Sequence, residues 1–429
     1  MTDPQQPTAG QPAAMGNRAV LRLPEFRKLF AAQAISDAGD GMTFMALLFL
    51  VNALTHSTAA IAGLSIAIAV PAMVGGLFAG ALADRFDRRR IMIASDAVRA
   101  LLVLGFVLVG TLQRLPILFV LAFLQAAIGT LFTPARGALI PRVVPPEGLM
   151  AANGLGQMSR MIASVVGATT TGFLFATTGE AWPVFVIDAA TFVASVLIVM
   201  RVDSSYGAPH ADAHAGSGGL GGSVVAGLRA IAASPTLIAT VAGLSIAMLG
   251  LGAVNVLFVP FLIDTLHESA AWAGPIEGAQ TLSIVLAAGL MGPLSARFTP
   301  QSLLVGGMVV VSAAILALAG APNVIVVLAV LFSVGWAVTP LQAATMTLIQ
   351  TTATDSMRGR VLGALNASQS TTTIVSQAAA GIFAGVVGIR AVLFGGGVIC
   401  LAAAIATAVL FGLDRRRTAT HAGAAVAEG

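Results

Sequence analysis

Asp37 and Asp40 are the only charged residues between Phe30 and Thr55. Their spacing of three places both carboxylates on one face of a helix. Counted from Lys28 they lie about 14–18 Å along that helix, at about 1.5 Å per residue. An ionised carboxylate that deep in an apolar segment costs about 2.5–3.5 kcal/mol, so both must face protein or water and not lipid. Burial is the general route by which an acid comes to exchange protons near neutrality; the same pair also suits a cationic ligand. Arg99, Arg160 and Asp96 enter apolar segments to a similar depth and offer the competing use, permanent ion pairs with the aspartates. Asp40 is therefore the candidate proton or substrate site and Asp37, nearer the membrane surface, a second one. Arg99 and Arg160 are the candidates to set the affinity of Asp40. Asp188 and Glu277 are further acids within apolar runs, with Gln280 three residues after Glu277 and Asn255 in the preceding run. Glu277, Gln280 and Asn255 would line the opposite wall of a cavity. Asp188 also reads as a structural hydrogen-bond partner, and Glu277 as an acid reaching outer water.

Other chemistries find little support. His56 and His267 fall in loops, while His210, His214 and His421 fall in polar segments, and no pair has ligand spacing on a helix. No metal site and no cofactor are expected. A lone cysteine, Cys400, excludes an intrachain disulfide. The glycine-rich run 216–222 lacks the Gly-Lys-Ser/Thr that a phosphate loop requires, so ATP-driven work is not expected. No His/Asp/Glu constellation for catalysis is present, and an enzyme is not expected.

The elements that must position these residues follow from composition. Of 429 residues 57% are hydrophobic and only 9% charged, against roughly 25% charged in a soluble domain. Too few polar side chains remain to cover a water-exposed surface, so an all-α integral membrane protein is predicted. The net charge of +4 does not imply nucleic acid, because the arginines sit at the ends of apolar runs and not in a patch. Apolar stretches long enough to cross hydrocarbon recur at 29–53, 59–83, 91–112, 114–138, 151–177 and 182–201. They resume at 235–263, 271–296, 302–320, 322–350, 361–385 and 389–412. About twelve transmembrane helices result. They divide as a disordered tail (1–23), a six-helix bundle (24–201), a linker (202–233), a second six-helix bundle (234–413) and a tail (414–429). With both termini cytoplasmic, the arginines from Arg85 to Arg90, Arg142, Arg201, Arg229, Arg297, Arg358, Arg360 and Arg415 to Arg417 lie inside. Only Arg114 and Arg390 fall in outer loops, as the positive-inside rule demands of a multi-pass protein in the bacterial cytoplasmic membrane.

The two sets of six look alike. His-Ser-Thr-Ala-Ala-Ile-Ala-Gly at 56–63 returns as His-Glu-Ser-Ala-Ala-Trp-Ala-Gly at 267–274. Gly80-Ala-Leu-Ala-Asp-Arg-Phe86 returns as Gly292-Pro-Leu-Ser-Ala-Arg-Phe298, and Thr133-Pro134 as Thr339-Pro340. Parallel repeats of this kind place a binding site near mid-membrane, between two bundles that rock against each other.

The run Gly80-Ala-Leu-Ala-Asp84-Arg85-Phe-Asp-Arg88-Arg89-Arg90 resembles the loop motif G-x-x-x-D-R-x-G-R-R-[RK] of the major facilitator superfamily, with Asp87 in place of the usual Gly. Several segments resemble its drug:proton antiporter branch, which includes macrolide and enterobactin exporters. They are Ser36-Asp37-Ala38-Gly39-Asp40-Gly41, Phe132-Thr-Pro-Ala-Arg136-Gly-Ala-Leu-Ile-Pro141, Ala151-Ala-Asn-Gly154 and Ile187-Asp188-Ala-Ala-Thr-Phe192. The fourth helix has Gln125 and Gly129 but lacks the arginine of that branch's R-x-x-x-G pattern. The resemblance implies two six-helix halves in a monomer, and a loop that latches them on the cytoplasmic side. In that latch Gly80, Asp84 and Arg85 would serve as gating residues, Asp84 meeting the start of helix eleven near Arg358 and Arg360. It further implies a secondary transporter that exports amphipathic, drug-like small molecules in exchange for protons, with membrane lipid as its other partner. The alternative is a dedicated carrier of one metabolite, siderophore, lysolipid or metal ion without proton coupling.

Overall fold

The structure is a computed structural model. It describes the backbone of residues 15–206 and 227–427, and side chains throughout these except at 72, 74–85, 355, 356 and 415–427. In the first part of the chain six long helices follow one another. They are α1 (Pro24–Thr55), α2 (Thr58–Arg85), α3 (Arg88–Phe106), α4 (Leu115–Val143), α5 (Leu149–Thr178) and α6 (Trp182–Val199). Six more come after residue 227: α7 (Pro235–Pro260), α8 (Ala273–Gly289), α9 (Pro300–Ala319), α10 (Val324–Thr352), α11 (Asp355–Val387) and α12 (Ile389–Ala427). Among the described residues nine helices are long and apolar enough to cross a membrane, and the bent α8 makes a tenth. Large apolar side chains such as Leu101, 72% exposed, point outward from the rods. A face of that kind suits hydrocarbon and not water.

The expected spans fall on these helices, with differences at particular points. The third ends at Phe106, short of residue 112. The eighth is broken: after Gly289 the chain turns by 57° into Met291–Arg297. Residues 15–23, read as part of a free tail, instead pack. Val20 is fully buried and Met15 N–H donates to the carbonyl of Glu147 at 3.0 Å. Beyond Asp414, where a tail was expected, α12 continues as helix. Residues 1–14 of the expected disordered tail and 207–226 of the expected linker lie outside the described residues.

Helix ends show why these segments start where they do. Pro24 and Pro235 occupy first turns, where a missing N–H costs nothing. Asp87, the departure from the loop motif, caps α3 by accepting the N–H of Arg90 at 3.0 Å, which satisfies one of the free donors of that helix start. Pro134 and Pro340 interrupt α4 and α10 from within, at matching places.

The packing repeats with a shift of six helices. α1 packs on α5 and α6, α3 on α4 and α6, and α2 on α4; correspondingly α7 packs on α11 and α12, α9 on α10 and α12, and α8 on α10. Two seams join the sets, α2 with α11 and α8 with α5, and these too exchange under the same shift. At the end remote from both termini the sets are tied by hydrogen bonds. Asn52 Nδ2 donates to Asp264 Oδ1 at 3.3 Å, His56 Nδ1 lies 3.4 Å from the same oxygen, and Thr58 Oγ1 donates to the carbonyl of Gly381 at 2.8 Å. His56 and His267 end α1 and the α7 region with φ of 45° and 56°, a left-handed turn that side chains rarely adopt. The repeated eight-residue sequence His-x-x-Ala-Ala-x-Ala-Gly therefore makes the same turn twice.

Candidate functional site

Four of the charges expected along the first six helices, Asp40, Asp96, Arg99 and Asp188, meet in one place. A cavity of about 390 Å³ opens between α1, α2, α3 and α4. Its walls are mostly apolar (Phe44, Leu47, Ile68, Phe132), with Asp37, Asp40, Arg99 and Gln125 and a few hydroxyls, Thr43 among them, reaching it. Small residues, Ala122, Ala126 and Gly129, line α4 here and leave the space that larger side chains would fill.

Arg99 holds the centre. Its Nη2 donates to Asp40 Oδ1, its Nη1 lies 3.6 Å from Asp96 Oδ1, and its Cζ sits 4.3 Å above the ring of Phe192. Its side chain is 7% exposed, whereas that of Asp40 is 37% exposed, so of the two lining residues Asp40 is the more open to the cavity. Arg99 also stands beside Gly129 of α4, and thus α3 supplies a cation next to the helix that lacks the arginine of the branch pattern.

A layer of hydroxyls backs the pair. Asp188, fully buried, accepts from Thr43 Oγ1 at 2.6 Å and from Thr191 Oγ1 at 3.0 Å. Asp96, fully buried, accepts from Ser195 Oγ at 2.6 Å. Three carboxylates, those of Asp40, Asp96 and Asp188, therefore surround one guanidinium. The ionised cluster carries an excess of two negative charges, a costly state in a low dielectric.

Close backbone approach keeps this layer together. A methyl group on Gly39 would strike Asp188 Oδ1 and Thr191 Oγ1. Gly39→Ala is expected to lower stability by about 1–3 kcal/mol through overpacking. Gly137→Ala, at a position with open space, is expected to be neutral or stabilising; thermal melting of the two purified variants checks the contrast.

The other expected residues take different places. Arg160 does not meet Asp40; it is exposed on α5 and donates to Gln157. Asp37 accepts from Gln33 Nε2 at 2.9 Å. Glu277 accepts from Ser164 Oγ across the α5–α8 seam, so it joins the two sets and does not stand alone. Gln280 is half-buried near it, and Asn255 is exposed on α7. Gly80, Asp84 and Arg85 lie on the helical backbone of α2, but their side chains are outside the described residues. Thr43, Ser195 and Phe192 were not anticipated, since a lone hydroxyl or ring in an apolar run carries no spacing signal. Arg136 was seen only as part of a motif, with no role attached.

The profile of the family described as transmembrane secretion effector matches residues 15–422. The enterobactin exporter EntS of Escherichia coli is 28% identical over 361 residues, covering 83% of this chain and 85% of that protein. Among solved structures the nucleoside transporter NupG superposes with a TM-score of 0.73 at 13% identity, over 90% of this chain and 99% of that one. A bacterial homologue of the human lysosomal transporter Spinster, inward-facing and unoccupied, gives 0.68 at 16% identity, over 91% and 96%. At such identities the two structures speak for the fold alone.

Proposed function

This chain belongs to the transmembrane secretion effector family of the major facilitator superfamily, a family of membrane transporters and not enzymes, and from that membership we propose that it exports an amphipathic small molecule by alternating access in exchange for protons. The supporting observation is the position of Asp40. It is exposed to an apolar-walled cavity on one side and bound to buried Arg99 on the other, within a cluster of three acids and one base. A proton entering that cluster relieves a like-charge excess. It also frees Arg99 to turn towards Asp96, 3.6 Å away, so protonation and the ion-pair link between α1 and α3 are coupled through one side chain. Inward flow of a proton supplies about 2.3 kcal/mol per 100 mV, enough for about a fifty-fold gradient of exported solute.

The arginine distribution sets the orientation in this reading. Both termini lie in the cytoplasm of a bacterial cell, the tied end with Asp264 faces outward, and the protein works as a single chain in the inner membrane. Gly80, Asp84 and Arg85 would latch the cytoplasmic side.

A second reading, a carrier dedicated to one siderophore, is supported by the similarity to an enterobactin exporter over most of both chains. Proteoliposomes given an imposed pH gradient separate the two. Rhodamine and ethidium accumulation that follows the gradient and collapses with a protonophore is expected from a proton-coupled exporter of broad range. Movement of enterobactin alone, indifferent to the gradient, would establish the dedicated carrier instead.

A further inference from the structure

Beside the acid-rich cluster lies a second charged zone of opposite excess. Arg136 of α4 is half-buried, and its Nη2 and the side-chain amide of Gln33 on α1 both approach Gly156 of α5. Its Nε is buried with no hydrogen-bond partner, and among the described residues no carboxylate lies within ion-pair distance of its guanidinium. Its charged neighbours are Arg160, which repels it, and Asp37, which attracts it. Asp37 in turn feels Arg136, Arg160 and Asp40, and its own hydrogen bond goes to Gln33. Two guanidiniums thus share a single carboxylate, and neither is paired with it. Two like cations served by one carboxylate that pairs with neither are an unfavourable arrangement in partly buried surroundings. Planar guanidiniums bind oxyanions through paired N–H donors more strongly than neutral donors do.

We propose that Arg136 and Arg160 form a receptor for an oxyanion, a carboxylate or phosphate carried by the transported molecule, with the apolar body of that molecule lying towards the Asp40 cavity. Exposed Arg160 meets the anion first and Arg136 supplies the orphaned Nε–H at the deeper position. Asp37 keeps the two arginines apart and disfavours a second anion. The substrate is then an amphipathic acid, or a zwitterion whose cationic end reaches Asp40. This rests on the transport reading above.

The test uses two xanthene dyes of similar shape and opposite charge, fluorescein as the anion and rhodamine 123 as the cation. Binding to the full-length protein in nanodiscs of neutral lipid is followed by fluorescence anisotropy. Fluorescein is expected to bind wild type and to lose about tenfold in affinity in Arg136→Gln and in Arg160→Gln, with partial recovery in Arg136→Lys. Rhodamine 123 affinity is expected to hold or rise in the same variants. Fluorescein affinity that is absent in wild type, unchanged in the variants, or lost in step with rhodamine 123 would overturn the assignment. Helical circular dichroism and a monodisperse elution confirm that each variant is folded. Dye movement in proteoliposomes is read separately: charge-selective binding without transport sinks the exporter reading alone, and transport with charge-blind binding sinks the receptor alone.

Discussion

Asp40→Asn is expected to cut gradient-driven dye or siderophore efflux at least about tenfold while leaving a folded protein in the membrane. The amide keeps the shape of the carboxyl but removes the charge opposite Arg99, which is 6% exposed. Stripping a buried ion of its only partner costs about 3–5 kcal/mol. Here Asp96 at 3.6 Å and the ring of Phe192 at 4.3 Å stay in place, so a loss of about 1–3 kcal/mol is expected. The double variant Asp40→Asn with Arg99→Gln leaves Asp96 and Asp188 buried without a cation, and is expected to melt no higher than Asp40→Asn and to recover none of the transport. Asp37→Asn, whose hydrogen-bond partner is the neutral Gln33, is expected to have the smaller effect on stability. Wild-type efflux by Asp40→Asn at equal expression would remove Asp40 from the coupling path.

A wedge in the seam should act on a different step. A Cβ at Gly381 would strike the Cβ of Ala62 and lie 2.9 Å from the carbonyl of Thr58. Gly381→Val is therefore expected to prevent closure at the Asp264 end and to stop turnover, while ligand binding at the Asp40 cavity persists. Cys400 is buried, so thiol labelling reports on an introduced cysteine. At Ala270, 5% exposed in the α5–α8 seam, labelling is expected to speed up severalfold in the Gly381→Val background. Unchanged labelling with intact transport would show that the seam tolerates the bulk.

The helices were legible because lipid demands nearly unbroken apolar length, and a run such as 302–320 leaves no other reading. The break after Gly289 was not, since hydropathy is continuous across it and the turn is a matter of packing. The two motif halves at 56–63 and 267–274 announced the repeat, and the shared left-handed histidine turns bear it out in backbone form. At the site, depth along α1 was enough to single out Asp40. Choosing Arg99 over Arg160 as its partner required knowing which helix faces lie opposite, and a list of arginines at similar depth does not contain that. Asp188 was visible as a buried acid, but its donors Thr43 and Thr191 are ordinary residues whose role exists only after the helices meet.

The seams carry one more implication. Gly172 of α5 approaches Ala270 and Ala271 at the start of the eighth segment, and Gly381 of α11 approaches Thr58, Ala59 and Ala62 at the start of the second. These are the same contact made twice, on opposite sides of the axis that relates the helices. Under the rocking motion proposed above, an obstruction on either flank tilts both bundles and pulls the far flank open as well. Adding Gly172→Val to Gly381→Val should consequently change little. Duplication supplied this protein with a twin for every joint but with no understudy for any of them.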